Sequence, residues 1–229
     1  NEILTTVVSV QVCAEKINKS GAYSNDGQWM GPPLKKHRRC GEPMLRIANK
    51  VAYDNIMQNA NKSQSVESIG GLYSRYDSIT GKCTNKQFVP EQGIHAIQLI
   101  NEYYKTLTDT SKFSLFVISP FKIIPSEFKK QIKDLLHPAI RKLLNGKIGT
   151  VHTFQGKEAD IVLFMSGCDS TKEGAVKWAD SKPNLLNVAL TRAKKIFIAI
   201  GDKGLYSHTN YFSQMIKELD NNSKKYMNE

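Results

Sequence analysis

Residues 149–160 read Gly-Thr-Val-His-Thr-Phe-Gln-Gly-Lys-Glu-Ala-Asp, and an apolar run, Ile161–Met165, follows them directly. Residues 184–194 read Asn-Leu-Leu-Asn-Val-Ala-Leu-Thr-Arg-Ala-Lys, and a second apolar run, Ile196–Ile200, leads to Gly201-Asp202. Both runs are rich in β-branched and aromatic residues, which predicts strands that are buried on both faces. We expect these strands to share one mostly parallel sheet.

The helix predicted between these strands carries an arginine on a face that should be apolar. At about 100° per residue, one stripe of this helix is formed by Leu185, Val188, Ala189 and Arg192. Burying a guanidinium group is unfavourable unless a negative group meets it. Two interpretations are open at this point: a structural ion pair with a core carboxylate, or a site for an anion such as phosphate.

The two quoted segments resemble motifs V and VI of superfamily 1 helicases. The residues from Thr150 to Glu158 match motif V, and those from Asn187 to Lys194 match motif VI, in the right order and each joined to its strand. The nonsense-decay and Dna-two-like branch is the most similar group. The resemblance implies the C-terminal, second RecA-like motor domain, with the α/β P-loop-NTPase fold and a mostly parallel sheet flanked by helices.

Two further segments resemble motifs of the same helicases. The residues from Leu34 to Cys40 are similar to motif IV, whose arginine, here Arg39, reaches the γ-phosphate of the nucleotide in that family. Ser119-Pro-Phe121 is similar to a motif that touches the nucleic-acid backbone. By itself this tripeptide is equally compatible with a plain strand-to-helix turn, although loops after parallel strands often bind ligands.

The resemblance assigns roles to twelve residues. Arg39 and Arg192 are predicted to be catalytic, as arginine fingers on the γ-phosphate. Gly156 and Lys157 are predicted to lie near the nucleotide, since backbone amides beside a glycine can approach phosphate closely. Glu158 cannot bind phosphate by itself, and the resemblance implies for it a role near the nucleotide, at the ribose or in the catalytic water network. Nucleic-acid contacts are predicted for Ser119, Pro120, Phe121, Thr150, His152, Thr153 and Gln155. The hydroxyl, imidazole and amide groups among these residues suit sugar–phosphate contacts.

Net charge, cysteine spacing and hydropathy indicate which partners and sites to expect. The 229-residue chain has a formal net charge of +11 and a pI near 9.4, which favours a polyanion partner such as single-stranded nucleic acid. A soluble basic protein without a polyanion partner could have the same net charge and pI. The four cysteines form no CxxC pair, so we expect no metal site, no disulfide framework and a reducing cytoplasm. No apolar run approaches roughly 18 residues, so we expect no membrane partner.

The sequence predicts three regions. Residues 1–33 would form a lead-in helix and loop, residues 34–220 the RecA-like domain, and residues 221–229 a polar tail that frays. Within the domain, residues 59–90 would be a β-hairpin or irregular insertion, and residues 167–183 a mobile surface loop.

The sequence lacks parts that a complete motor needs. It contains no Gly-x-x-x-x-Gly-Lys-Ser/Thr (Walker A) pattern and no Asp-Glu dipeptide for a Walker B site, and it does not begin with Met. We therefore expect a fragment that alone neither binds ATP or Mg²⁺ nor hydrolyses ATP, while the first RecA-like domain of the same parent chain supplies these sites. The alternative is a non-catalytic basic module that only binds nucleic acid or a partner. Backbone contacts do not distinguish DNA from RNA.

Overall fold

The chain divides into two units, residues 1–36 and residues 37–229. The computed structural model describes residues 17, 19–23, 29–31, 35–60 and 68–227. In the first unit, strand β1 (Ala22–Tyr23) pairs antiparallel with strand β2 (Trp29–Met30), and the rings of Tyr23 and Trp29 meet edge to face. Most of the predicted lead-in helix lies outside the described residues.

Seven further strands and eight helices follow in the described part of the chain. The strands are β3 (Lys36–His37), β4 (Gln58–Asn59), β5 (Arg75–Ser78), β6 (Leu115–Ser119), β7 (Ile148–Thr150), β8 (Ala159–Gly167) and β9 (Ala193–Gly201). The helices are α1 (Met44–Ala52), α2 (Pro90–Thr106), α3 (Ile123–Leu135), α4 (Pro138–Leu143), α5 (Glu173–Ala179), α6 (Asn184–Leu190), α7 (Lys203–Tyr206) and α8 (Tyr211–Met227). Short 3-10 turns cover Thr110–Lys112, Val151–Phe154 and Ser170–Lys172.

Five strands form one fully parallel sheet in the order β5-β9-β8-β6-β7. The neighbouring strands β8 and β9, in the interior of the sheet, are the longest. In β8 every residue except Asp160 is buried. Strands covered on both faces need continuous apolar sequence, which is why the two quoted runs identified them. The sheet and its flanking helices confirm the predicted α/β architecture.

The sequence predicts a β-hairpin or irregular insertion at residues 59–90, whereas the described part of this segment contributes a strand to the main sheet. Arg75–Ser78 is the edge strand β5, which runs parallel to β9 with Tyr76 opposite Ala199. An edge strand contacts only one neighbour, so β5 carries a single buried ring, Tyr76, between polar residues and lacks the apolar run of a central strand. Residues 61–67 lie outside the described part.

Other local predictions also need correction. Residues 167–183 are not simply a loop, because they contain the helix α5. Helix α6 ends at Leu190, so Arg192 lies in the connection to β9 instead of on the helix. The polar tail is largely the end of α8, where Asn222 is buried and donates a hydrogen bond to the Ser74 carbonyl at 2.7 Å.

In the part of the chain that the structure describes, no helix is long and apolar enough to cross a membrane.

A partly buried carboxylate joins helices α1 and α8. Glu218 on α8 accepts hydrogen bonds from Arg46 Nε at 2.6 Å and Lys50 Nζ at 2.5 Å, and its side chain is 11% exposed. Burial alone would raise the pKa of Glu218, but the hydrogen bonds from Lys50 and Arg46 hold this pKa below its ordinary value. The charged form of Glu218 is therefore the form that the fold prefers.

We expect Glu218→Gln to lower the free energy of unfolding by about 1–2 kcal/mol at neutral pH. Because the folded pKa is depressed, this stability is present above the unfolded pKa of about 4.3 and is lost as pH falls through the folded pKa. Urea titrations at neutral pH and at about pH 3 measure the difference between wild type and variant, which should shrink at the lower pH. The matched control is Glu102→Gln at an exposed site on α2. Equal losses in both variants, or a pH-independent difference, would contradict the expectation.

Candidate functional site

The motif V segment forms a tight turn at the end of β7. Thr150 is followed by the 3-10 turn Val151–Phe154, in which the Thr150 amide donates to Thr153 Oγ1 at 3.2 Å. Val151 and Phe154 are buried, and the Phe154 ring stacks on Phe116 at 4.3 Å. These apolar anchors fix the turn, so that the intervening side chains His152 and Thr153 are exposed.

Gly156 allows the chain to turn back after this 3-10 turn. Its φ is +85°, in the left-handed region, and the Lys157 amide donates to the Phe154 carbonyl at 3.0 Å. A side chain at position 156 would meet no atom within 4 Å, so the backbone conformation and not space favours glycine there. Gln155, Lys157 and Glu158 beside it are exposed.

Arg192 is buried at 4% exposure and bonds to backbone carbonyls. Its Nη1 donates to the carbonyls of Phe154 at 3.3 Å and Lys157 at 3.0 Å, and its Nε donates to the Val188 carbonyl at 3.1 Å. Its Nη2 donates to Thr191 Oγ1 at 3.2 Å. Within the described residues Arg192 forms no ion pair, so the first of the two interpretations, a structural ion pair with a core carboxylate, is not what holds it; backbone carbonyls, two of them in the motif V turn, do so instead.

These bonds leave little of the guanidinium group unused. Arginine has five N–H donors, and four are occupied in Arg192, so one on Nη2 is left over. Burial, and then the neighbouring charge of Arg39, hold the pKa of Arg192 below its ordinary value. Both causes oppose its positive charge, and the nearby carboxylate of Glu158 offsets them only in part, so a further anion at this position would favour the charged form.

Arg39 is near enough to Arg192 for its charge to lower the pKa of Arg192, but it differs from Arg192 in being exposed. No hydrogen bond or ion pair with another described residue involves its side chain, so its five N–H donors are unengaged. The segment that carries it is fixed by buried neighbours: His37 Nε2 accepts a hydrogen bond from the Cys40 amide at 3.2 Å, and the Gly41 amide donates to the Lys194 carbonyl at 3.4 Å. The structure therefore brings the two predicted catalytic arginines together.

His37 and Cys40 are uncharged parts of this support. Burial, and then the charge of Arg39, lower the pKa of His37, which leaves its imidazole neutral and able to accept the hydrogen bond. Burial, and then the charge of Glu42, raise the pKa of Cys40 to about 12, so its thiol stays protonated. The positive charge of Arg39 and Arg192 therefore has no counter-charge from these two side chains.

Glu158 is held in the site by one long ion pair. Its carboxylate lies 3.8 Å from Lys194 Nζ, and both side chains are about half exposed. Lys194 also lies 3.5 Å from Asp160, which pairs more closely with Lys195 at 2.7 Å. Glu158 is therefore loosely held and can exchange its partner. Among the described residues, no cluster of three or more His, Cys, Asp or Glu side chains could hold a metal ion.

Ser119, Pro120 and Phe121 are all buried, in contrast to the other predicted nucleic-acid contacts. Ser119 is 1% exposed, and its Oγ accepts a hydrogen bond from the Phe121 amide at 3.3 Å. The parallel register places Ser119 directly beside Thr150, so the two predicted segments do meet at the end of β6 and β7. In this conformation the hydroxyl of Ser119 stabilises its own turn.

The motif V turn separates two grooves. One groove, of about 580 Å³, is bordered by Thr150, Thr153 and a set of lysines, and we call it the lysine groove. Its lysines are Lys122, Lys129, Lys130 and Lys133. The other groove, of about 480 Å³, is bordered by His152 and Gln155, and we call it the aromatic groove because Trp178 forms part of its wall.

Sequence reasoning missed the lysines and Trp178. Three of the four lysines lie on α3 at spacings of one, three and four residues, and Lys122 directly precedes that helix. These spacings are a signal that would have placed the three along one side of the helix. Trp178 stands in a segment whose Gly, Asp, Ser and Lys content is typical of a loop. Only the position of α5 in space shows that this ring borders the same groove as His152.

Comparisons with known proteins show the family of this chain. The family described as "AAA domain" matches residues 33–204. An uncharacterized ATP-dependent helicase of Methanocaldococcus jannaschii is 26% identical over 193 residues, which cover 78% of this chain and 28% of the relative. The protein mov-10-B.1 of Danio rerio, whose name describes it as a helicase, is 27% identical over 197 residues, or 74% of this chain and 19% of the relative.

A third relative is DNA polymerase alpha-associated DNA helicase A of Saccharomyces cerevisiae, which is 32% identical over 108 residues, or 46% of this chain and 15% of the relative. The chain thus spans between 15% and 28% of the length of these three relatives. The family match itself covers well over half of the chain and includes both predicted arginines and the motif V turn. The chain therefore belongs to the AAA domain family and is a superfamily 1 helicase-type domain.

Proposed function

We propose that this chain is the second, C-terminal RecA-like motor domain of an ATP-dependent helicase or translocase of the nonsense-decay and Dna-two-like branch. The observation that carries the proposal is that Arg39 and Arg192 lie near enough to repel each other beside the motif V turn, where neither arginine forms an ion pair with a described carboxylate and only the charge of Glu158 offsets the repulsion in part. Two adjacent guanidinium groups repel each other, and an anion between domains relieves that repulsion. The helicase names of the relatives support the same reading.

The two arginines have different tasks in this proposal. ATP bound between two RecA-like domains supplies a phosphoanhydride bond whose cleavage releases free energy. Arg39 offers five unengaged N–H donors to the γ-phosphate, and Arg192 offers its charge and the one donor left on Nη2. Both stabilise the negative charge that develops during phosphoryl transfer, as arginine fingers do. The donor set therefore fits a phosphate group.

The motif V turn connects the nucleotide to the nucleic acid. Arg192 holds the carbonyls of Phe154 and Lys157, so a change in the position of its guanidinium group moves the turn that contains Gly156. Gly156 and Lys157 would approach the nucleotide through their backbone amides. Glu158, which is only loosely paired with Lys194, would act at the ribose or at the attacking water.

The opposite side of the same turn would contact the sugar–phosphate backbone of a single strand. Thr150, His152, Thr153 and Gln155 present exposed or half-buried polar groups there. The lysine groove continues this surface with positive charge, which suits phosphates. Ser119, Pro120 and Phe121 would support the turn from beneath, and the Ser119 hydroxyl would reach the backbone only after leaving the Phe121 amide.

Further parts of the proposal concern the parent protein. The first RecA-like domain would supply the Walker A and Walker B residues that hold ATP and Mg²⁺, so the 229-residue chain alone would not hydrolyse ATP. Nucleotide-driven closure of the two domains would move the motif V turn along one strand. The four scattered cysteines, which include no CxxC pair, suit a reducing, cytoplasmic setting.

ATP hydrolysis tests the proposal. A polypeptide that joins this domain to a first RecA-like domain of the same family should hydrolyse ATP, and single-stranded DNA or RNA should stimulate the rate at least several-fold. The 229-residue chain alone should bind the nucleic acid but show no hydrolysis above buffer. If the joined polypeptide binds nucleic acid and hydrolyses nothing, the chain is a non-catalytic basic binding module and the motor function is wrong.

A further inference from the structure

An exposed tryptophan beside the motif V turn has no role in the function proposed so far. Trp178 on α5 is 54% exposed, and in the described part of the second unit no other aromatic side chain is exposed to this extent. We propose that Trp178 is a stacking platform for an unpaired base of single-stranded nucleic acid, held in the aromatic groove. This inference rests on the proposed function and adds to it a base-contacting residue.

The ring of Trp178 is fixed from behind. Phe121, which is buried at the end of β6, lies 5.5 Å from it between ring centroids at an angle of 36°. Its helix is anchored by the buried side chains of Val176 and Ala179. A ring that is supported on one side and open on the other loses little freedom when a base stacks on it, which favours binding.

The rest of the aromatic groove suits a nucleotide. His152 and Gln155 border it on the side of the motif V turn, while Lys182 and Asn184 border it on the side of α6. The amides of Gln155 and Asn184 can donate and accept at base edges, and Lys182 can meet a phosphate. A volume of about 480 Å³ accommodates a base with its sugar. A partner protein would need a wider apolar surface than this single ring provides.

The position of the groove agrees with the path of a strand over the turn. Thr150 and Thr153 face the lysine groove, whereas His152 and Gln155 face the aromatic groove. A single strand that crosses the turn with its phosphates on the lysine side would direct a base to Trp178. Stacking on an aromatic side chain accepts every base, because each base has a π-face. The contact would hold the strand without reading its sequence.

Intrinsic fluorescence tests the inference directly, since the chain has only two tryptophans, Trp29 and Trp178. In a Trp29→Phe background, Trp178 is the sole indole. Single-stranded DNA and RNA of about ten nucleotides are expected to quench its emission, whereas an abasic DNA of equal length should bind more weakly without quenching. Trp178→Leu should lower the affinity for the normal strands by about 5- to 100-fold, and Trp178→Phe should retain most of it.

The outcomes separate this inference from the proposed function. If wild type binds neither the normal nor the abasic strand, both are wrong. If it binds the two strands equally and without quenching, only the stacking platform is wrong, and Trp178 is then a support for Phe121. The comparison of strands needs no variant at position 178, so it stands even where Trp178→Leu loosens the fold. Leu135→Ala, at an equally exposed apolar side chain on α3, is the matched control and should bind as wild type does.

Discussion

Arg192→Ala is expected to reduce nucleic-acid-stimulated ATP hydrolysis by about 10³-fold or more in a polypeptide that carries both RecA-like domains. The variant loses a charge that would stabilise the transition state, and it also releases the carbonyls of Phe154 and Lys157. Steady-state hydrolysis with saturating single-stranded DNA measures the loss. Nucleotide binding, measured separately by equilibrium titration, should decrease far less than the rate.

The same substitution should also destabilise the fold. Three backbone carbonyls lose a charged donor in a site where Arg192 is 4% exposed, so we expect the free energy of unfolding to decrease by about 2–4 kcal/mol. Urea denaturation measures this change. The same titrations identify the conditions under which wild type and variant are both folded, and the rates of hydrolysis are compared under those conditions. Arg192→Lys keeps a charge but loses the fork of donors, so it should recover part of the stability and little of the rate.

The control for Arg192 is Arg75, an arginine that is only partly buried. Arg75 on β5 pairs with Asp77 at 2.7 Å and borders neither the lysine groove nor the aromatic groove. Arg75→Ala should lower stability but leave the stimulated rate per folded molecule unchanged. Normal hydrolysis by folded Arg192→Ala would make Arg192 a structural brace of the motif V turn, and the arginine-finger role would be wrong.

The sequence predicted the centre of the fold better than its periphery. Continuous apolar runs identify β8 and β9 because these strands are covered on both faces. The place of β5 at the edge of the main sheet and the helix α5 were missed because each element buries only one or two side chains, such as Tyr76 and Val176, in otherwise polar sequence. Period-based reasoning needs more buried positions than such short elements contain.

The same distinction applies to the candidate site. The unfavourable burial of Arg192 was visible in the sequence, but its partners were not, because backbone carbonyls belong to every residue type. The proximity of Arg39 followed only from the family resemblance, since about 150 residues separate the two arginines. Trp178 needed the fold itself, because only the packing of α5 against Phe121 brings its ring to the motif V turn.

Arg39→Ala is expected to lower the rate of ATP hydrolysis with almost no change in the free energy of unfolding, whereas a change at Arg192 affects both quantities. Arg39 is exposed and makes no hydrogen bond or ion pair with another described residue, so the free energy of unfolding should stay within about 0.5 kcal/mol of wild type. The stimulated rate of hydrolysis should nevertheless decrease by about 10²- to 10³-fold, because the five free donors meet the γ-phosphate only in the closed motor. Parallel urea titrations and steady-state rates on the two-domain polypeptide measure both quantities.

Lys105→Ala on α2 provides the matched loss of one exposed positive charge, and it should change neither quantity. The double variant Arg39→Ala with Arg192→Ala then decides whether the two arginines act together. If both stabilise the same phosphate, the double variant should lose less than the product of the two single losses, because the second substitution removes an interaction that the first has already weakened. Fully multiplicative losses would mean that the two arginines act at separate places, and a wild-type rate for Arg39→Ala would remove Arg39 from the catalytic site.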